Sequence, residues 1–500
     1  MGKLRKFLAV FFGCLSALFA IIAVRNRMGA QECLPDCRAP ERADWNCSLQ
    51  AEARKAGKLV FLIKKGENFS PDKRTAEILK TRYITAVIDP ESHPADFRIL
   101  DALLSRRGCA NASLKAGILS PRLHPIYLTS RLENRENSSA PSLSDAIVAA
   151  AAELDRNENL LKSSASKTAE TIDNPKNFSP VMIDTPMVAQ LRFLNSESAR
   201  LFFFFNDPEK LSLPTAIISE NARLSMRISG EYIGQISARH AAVIAAEILK
   251  NRMAADSPFG AKLLYARALC ESDAVLKNGQ TRNALMLFAD EILLRNSSSE
   301  SVRDAALSAS VLMRVYAITK ERKYSERAAQ VLERLEKIVT SRGLMPSMPD
   351  SPSQASALEY VLCARAFLDM SILDNSEKWR ALAKESVREL DEFFMTKIGM
   401  WSLNSSNSLL SEFARPVITR DSCEPSYIGE AAQLMPFFGE DFPETAERLR
   451  RLAMRSVCTS PLEQDEFSSL KLSFLPDPFD TNAKTAEASS RGARFAEATP

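Results

Sequence analysis

The stretch from Lys58 to Pro94 constrains the fold more than any other. Lys58-Leu59-Val60-Phe61-Leu62-Ile63-Lys64 is a short apolar run, suited to a buried strand. Ser70-Pro71-Asp72 opens a helix. Ser can cap, Pro tolerates the first helical position, and Asp suits the positive N-terminal end. Ala76, Ile78 and Leu79 give an apolar face, so the spacing predicts a helix over 71–81. Tyr83 to Ile88 is a second strand, closed by Asp89-Pro90. The result is a β-α-β unit. Amides at a helix N-terminus stabilise a thiolate, so a reactive dithiol on such a unit belongs where the first strand meets the helix. That junction reads Lys65-Gly66-Glu67-Asn68-Phe69 and holds no cysteine.

Composition narrows the function classes. With 500 residues the chain has room for about two to four domains. A net charge of +3, with no long basic block, gives no support to a nucleic-acid partner. Three histidines argue against a His-rich metal site, and 16 glycines against phosphate-cradling loops. No metal and no cofactor is expected.

The N-terminus carries a topology signal. Lys3, Arg5 and Lys6 precede Phe7 to Val24, which contains no charge, and Arg25 and Arg27 follow. Eighteen residues is at the short end for crossing a hydrocarbon core of roughly 30 Å. The expectation is an uncleaved membrane anchor over 7–24 with the body on the periplasmic or extracytoplasmic side. A signal segment cleaved near Ala30 is the competing reading. In an exported body, Cys33 and Cys37 could close a small disulfide loop or remain two thiols. Cys47, Cys109, Cys270, Cys363, Cys423 and Cys458 are scattered, several on apolar helical faces where cysteine acts as a small core residue.

In chain order, residues 1–30 are the anchor or signal segment and 31–43 a tether broken by Pro35 and Pro40. Residues 44–162 read α-β-α-β-α-β-β-α, with helices from Asp44, over Ala95 to Arg107 and over Ser144 to Leu161. The later strands are Ala116 to Leu119 and Ile126 to Thr129. Residues 163–180 are a polar linker, and 181–240 a mixed region with strands expected at Thr215 to Ile218 and Arg223 to Ile228. Residues 241–475 form α-hairpins, with helices near 241–254, 259–276, 281–295, 300–318, 323–341, 353–372, 376–396, 425–438 and 441–457. Residues 476–500 are poor in apolar side chains and read as a disordered tail. The fold class is therefore α/β plus all-α.

The order of elements over 44–162 resembles a thioredoxin-like domain. Its fusion to α-hairpins resembles the spermatogenesis-associated thioredoxin-like family, whose members join such a domain to an (α/α) toroid similar to six-hairpin glycosidases and sugar epimerases. Five stretches carry the resemblance: Asn68-Phe69 through Tyr83-Ile84 to Asp89-Pro90-Glu91-Ser92-His93-Pro94; Leu119-Ser120-Pro121 with Pro125; Pro258-Phe259-Gly260-Ala261-Lys262-Leu263-Leu264-Tyr265-Ala266-Arg267-Ala268; Leu358-Glu359-Tyr360; and Asp421-Ser422-Cys423-Glu424-Pro425-Ser426-Tyr427-Ile428-Gly429. The departures bear on function. The family's Cys-x-x-Cys segment is missing and its cis-proline falls near Leu114. Phe259, Ala261 and Ala266 stand where the family has His, Glu and Asp, and fewer than six hairpins can be counted.

Candidate site residues follow with their structural alternatives. Sugar hydrolysis needs two carboxylates about 5–10 Å apart across a cleft. Asp421 and Glu424, with distant Glu359, are the candidates; the same two neighbours suit capping of a helix starting near Pro425. Lys262, Tyr265, Tyr360 and Ser426 could line a binding surface, as could Trp379 and Trp401. Aromatics at helical spacing equally suit a core, and a lysine equally suits an exposed edge. A peptide or glycan is the expected ligand class, for a binding or scaffolding protein with a redox-inactive thioredoxin-like domain. A carbohydrate-active toroid is the alternative, and residual thiol–disulfide exchange through Cys33 and Cys37 the third reading.

Overall fold

The computed structural model describes residues 42–106, 113–132, 142–156, 215–231, 235–253, 257–295, 300–340, 344–349, 353–397, 399–406, 408–411, 414–422, 424–458, 467–475 and 477–479. In chain order the elements are β1 (Arg42–Asp44), α1 (Cys47–Ala56), β2 (Leu59–Lys64), α2 (Lys73–Arg82), β3 (Tyr83–Ile88), α3 (Pro94–Arg106), β4 (Ala116–Leu119), β5 (Pro125–Thr129) and α4 (Leu143–Arg156). Then come α5 (Thr215–Glu231), α6 (Gln235–Asn251), α7 (Phe259–Leu276), α8 (Gly279–Leu294), α9 (Val302–Thr319), α10 (Arg322–Val339), α11 (Ala357–Asp374), α12 (Glu377–Phe393), α13 (Tyr427–Phe438), α14 (Pro443–Cys458), α15 (Ser468–Lys471) and a 3-10 turn at Leu472–Phe474. The chain divides into two compact units: residues 1–88 with 113–167, and residues 89–112 with 168–500.

The first unit is a five-stranded sheet in the order β1-β3-β2-β4-β5. β1 and β2 run parallel to β3, while β4 is antiparallel to β2 and β5. β2 is buried along Leu59–Ile63, as its unbroken apolar run requires of a central strand. Leu59, Phe61, Ala116 and Ile118 pack with Leu79 of α2 and with Ile147, Ala150 and Ala151 of α4. The buried Tyr83 hydroxyl donates to the Ile147 carbonyl at 2.6 Å and ties the sheet to α4. Two local expectations need correction. The second helix begins at Lys73, because Asp72 takes the cap position and its carboxylate accepts the Thr75 amide at 2.9 Å. The tether is not wholly irregular: Arg42–Asp44 lie along β3 as an edge strand.

The second unit is a ring of helices. α5, α7, α9, α11, α13 and the short α15 pack in succession, and α15 returns to α5 to close the circle. α6, α8, α10, α12 and α14 each pack outside the helix before them. The sequence encodes the two layers. α7 is buried on every side from Lys262 to Asp273, and α11 from Ala357 to Ser371. α10 buries only Tyr324, Ala328, Val331, Leu332, Leu335 and Val339, the stripe expected of a helix with one solvent face.

Three further expectations are corrected here. The strands expected at 215–218 and 223–228 are one helix, α5, whose apolar residues alternate with charges that the ring axis takes up. The two inward positions missing from the hairpin count are filled by α5, from the region read as mixed, and by α15. Of the tail expected to be disordered only 477–479 are described, and there Asp477 is 8% exposed and not solvated. The expected membrane anchor is corrected to this extent: among the described residues no helix is long and apolar enough to cross a membrane, and 7–24 lie outside them.

Candidate functional site

The starts of the inward helices gather at one end of the ring. The Ala216 amide donates to the Ser422 carbonyl just before α13, and the Val302 amide to the Ser347 carbonyl. Ser301, Ser356 and Ser426 cap α9, α11 and α13 through side-chain oxygens, as short hydroxyls at helix starts do. Glu359 completes a capping box, accepting the Ser356 amide at 2.7 Å through Oε2.

A polar cluster is built on these caps. Arg98, projecting from α3, donates through Nη2 to Glu359 Oε1 at 3.0 Å and through Nη1 to Ser356 Oγ at 2.5 Å. The same Nη2 is ion-paired with Glu424, whose other oxygen is ion-paired with Arg303. Arg303 Nε also donates to Asp304 Oδ1 at 2.9 Å. Glu359 is 2% exposed, and Arg98, Glu424 and Arg303 are 15%, 18% and 22% exposed. Burial pushes the Arg98 guanidinium below its ordinary value, Glu359 opposing that shift and Arg303 adding to it. Burial acts the same way on Arg303, but Asp304 more than offsets it and the group moves up.

Deeper along the axis lies a second, buried network. Arg223 donates to Glu271, Glu220, Glu430 and Gln433 at 2.9, 2.6, 3.2 and 3.1 Å. Arg227 forms a fork on Glu271, 2.9 Å to each oxygen. Arg267 Nη2 reaches both oxygens of Glu430 at 2.9 and 2.8 Å. Asp477 Oδ2 accepts from Arg227, Arg314 and Arg365 at 3.2, 2.8 and 2.8 Å. Arg365 also holds Asp369, which accepts the Ser310 hydroxyl.

Electrostatics decide what these acids can do. Burial would raise Glu271, but Arg227 and Arg223 hold it down at about 2. Burial is likewise outweighed at Glu430, which Arg267 and Arg223 hold at about 2. Asp477 falls well below the usual range as three arginines overcome its burial. None of the three can carry a proton at neutral pH. Two carboxyls go the other way. Burial raises Glu220 despite Arg223, and burial together with the Glu220 charge pushes Asp421 up to about 8. Asp421 is 2% exposed, and its oxygens accept the Ser426 amide at 2.8 Å and the Ser469 amide at 3.0 Å.

The candidates from the sequence therefore separate. Glu359 and Glu424 meet on one arginine; Asp421 stands apart, stitching the start of α13 to α15. Its expected capping role is corrected: Ser426 caps α13, and Asp421 binds the backbone amide of that cap residue. Glu424 is an ion-pair partner and not a cap. Lys262 is 7% exposed and lies 3.6 Å from Glu291. Tyr265, Tyr360, Trp379 and Trp401 are all buried in the core; the Tyr360 hydroxyl accepts the Met345 amide at 2.8 Å. Cys33 and Cys37 lie outside the described residues. Cys270 and Cys363 are buried free thiols, Cys270 pushed up to about 12 by burial, so neither is a nucleophile. Among the described residues no group of His, Cys, Asp and Glu could hold a metal ion.

Sequence reading passed over Arg98, Arg223, Arg227, Arg267, Arg314, Arg365, Glu271, Glu430 and Asp477. A usable signal was present. Arg267 and Glu271 interrupt Leu263 to Leu269 and Cys270 on a helix with no polar face, and Arg365 does so on α11. A charge inside an all-apolar helix has to find a buried partner.

No family model matches the chain, and no curated protein does. The resemblance to the spermatogenesis-associated family thus gains no support from sequence comparison. Solved structures similar to the chain include a D-mannose isomerase (8% identity, TM-score 0.43, 58% of this chain and 98% of that one) and the cellobiose 2-epimerase of Bacillus thermoamylovorans (9%, 0.40, 47% and 74%). A family 76 α-mannanase of Bacteroides thetaiotaomicron is another (12%, 0.40, 61% and 100%). Likeness at this level transfers neither a substrate nor a catalytic residue to this chain.

Proposed function

We propose that the helical ring is a non-hydrolytic binding or scaffolding module. The observation that carries this reading is Arg98 bridging Glu359 and Glu424 at the end of the ring where the helix starts converge. Glycoside hydrolysis needs one protonated and one ionised carboxyl facing a sugar across open space. Both carboxylates here are committed to guanidinium groups, and the acids deeper in the axis are committed likewise. The sheet order β1-β3-β2-β4-β5 supports a thioredoxin-like reading of the first unit, and the junction Lys65 to Phe69 supports one without a dithiol. The test is reducing-end release from a panel of α- and β-linked oligosaccharides by the full chain. No turnover is expected.

The carbohydrate-active reading retains one favourable observation: Glu359 and Glu424, distant in sequence, share a partner. Turnover by the wild type that Glu359→Gln or Glu424→Gln abolishes would establish it and overturn the proposal.

A further inference from the structure

We propose that Asp477 occupies an oxyanion site on the ring axis, formed by Arg227, Arg314 and Arg365, and that an external carboxylate-bearing ligand competes for the same site. The inference rests on the ring being a binding module and names the chemistry of its ligand.

The other acids of the axis belong to the ring helices and cannot leave without unfolding it. Glu220 is on α5, Glu271 on α7, Asp369 on α11 and Glu430 on α13. Asp477 alone comes from a segment without helix or strand, after the 3-10 turn that ends at Phe474. Polar contacts to the axis help to hold that segment, beside the buried side chains of Leu472 and Leu475. Arg227 Nη1 donates to the Leu475 carbonyl at 3.3 Å and the Leu472 carbonyl at 3.5 Å. The Phe479 amide donates to Asp477 Oδ1 at 3.1 Å, and the Phe479 ring lies 5.0 Å from the Arg314 guanidinium carbon.

The arginines are built to be occupied. Each sends an Nη2 to a single oxygen, Oδ2, with side-chain exposures of 2%, 3% and 7%. Five arginines of the axis (223, 227, 267, 314, 365) face five carboxyls (220, 271, 369, 430, 477). Withdrawing Asp477 removes a negative charge and leaves three guanidinium donors short of an acceptor in a site shielded from water. Such a site demands an anion. Guanidinium groups match planar carboxylates by geometry and hold their charge at all relevant pH values, so a carboxylate is the class that reproduces the tenant.

The experiment uses the full chain with Asp477→Ala and sodium acetate as probe, against chloride and inorganic phosphate at equal ionic strength. Acetate is expected to raise the melting temperature of the variant by a few degrees while leaving the wild type unmoved at the same concentration. Rescue by phosphate and not acetate overturns the carboxylate assignment; rescue by neither overturns the site. If the variant does not fold, hydrogen exchange on the wild type decides. Citrate, a multivalent carboxylate, should accelerate exchange at the Phe479 amide relative to chloride. Unchanged exchange means that Asp477 is a permanent structural plug, which contradicts the proposal. These readouts do not depend on sugar turnover, so failure here and failure of the non-hydrolytic reading remain distinguishable.

Discussion

Arg98 Nη2 donates to Glu359 Oε1 across 3.0 Å, joining α3 to the first turn of a helix 261 residues later in the chain. Glu359 is already the reciprocal partner of the α11 cap, so the arginine anchors to a carboxylate that local geometry has fixed. Removing the guanidinium leaves a buried carboxylate with hydrogen bonds to Ser356 but no hydrogen-bonded cation. Arg98→Ala should cost about 1–3 kcal/mol, the range for stranding a buried charged acceptor, read as a lower melting temperature.

The axis network should be far more sensitive than the surface. Glu271 is fully buried and serves Arg223, Arg227 and Arg314. Glu271→Gln should cost roughly 3–5 kcal/mol, because it strands desolvated guanidinium groups. Glu447, paired with Arg450 and Arg451 on the exposed face of α14, provides the contrast. Glu447→Gln should change stability by less than about 1 kcal/mol in a denaturant titration.

Closure of the ring depends on a glycine. A Cβ at Gly429 would lie 2.1 Å from Ser469 Oγ and 2.7 Å from the Leu470 amide nitrogen, where α13 passes α15. Gly429→Ala should therefore destabilise by about 1–3 kcal/mol by forcing those elements apart. Gly279 has no atom within 4 Å of its would-be Cβ and opens α8. Gly279→Ala should be neutral or stabilise by up to about 1 kcal/mol in the same melting experiment.

The pH dependence has two limbs of opposite sign. The Asp421 carboxyl, raised to about 8 by burial and Glu220, keeps its proton in the folded state at pH values where the unfolded chain has lost it. Its contribution is therefore fully present at low pH and is lost as pH rises from the ordinary carboxyl range towards 8. The stability gap between wild type and Asp421→Asn should narrow over that interval. Glu271 and Glu430, held at about 2, act in reverse: their contribution is full above the ordinary carboxyl range and is lost as pH falls towards 2. Urea titrations across pH 2–9 check both limbs.

Much of the architecture was legible because local signals and tertiary demands agreed. Tyr83 to Ile88 and Ala116 to Leu119 form the expected strands, and Phe259 to Leu276 is helical over the expected residues. α5 was misread because Ala216-Ile217-Ile218 is apolar and β-branched and Arg223-Leu224-Ser225-Met226-Arg227-Ile228 alternates polar with apolar, as strands do, while the charges at Glu220, Arg223 and Arg227 follow a helical spacing. Beyond the Arg223–Glu220 pair within the helix, those charges are satisfied by helices arriving from elsewhere in the chain. Asp477 was misread for the same reason. Asp477 looks solvated until three arginines from α5, α9 and α11 surround it. Glu359 and Glu424 could be singled out by residue type, but their meeting on Arg98 depends on long-range packing.

The most direct measurement is a double-mutant cycle between Arg98→Ala and Glu424→Gln, followed by equilibrium unfolding and by oligosaccharide turnover. If the arginine exists to neutralise the carboxylates, the two changes couple by more than about 1 kcal/mol and no variant releases sugar. Additivity within about 0.5 kcal/mol, together with turnover that Glu424→Gln removes, would contradict the reading of this ring as a non-hydrolytic module.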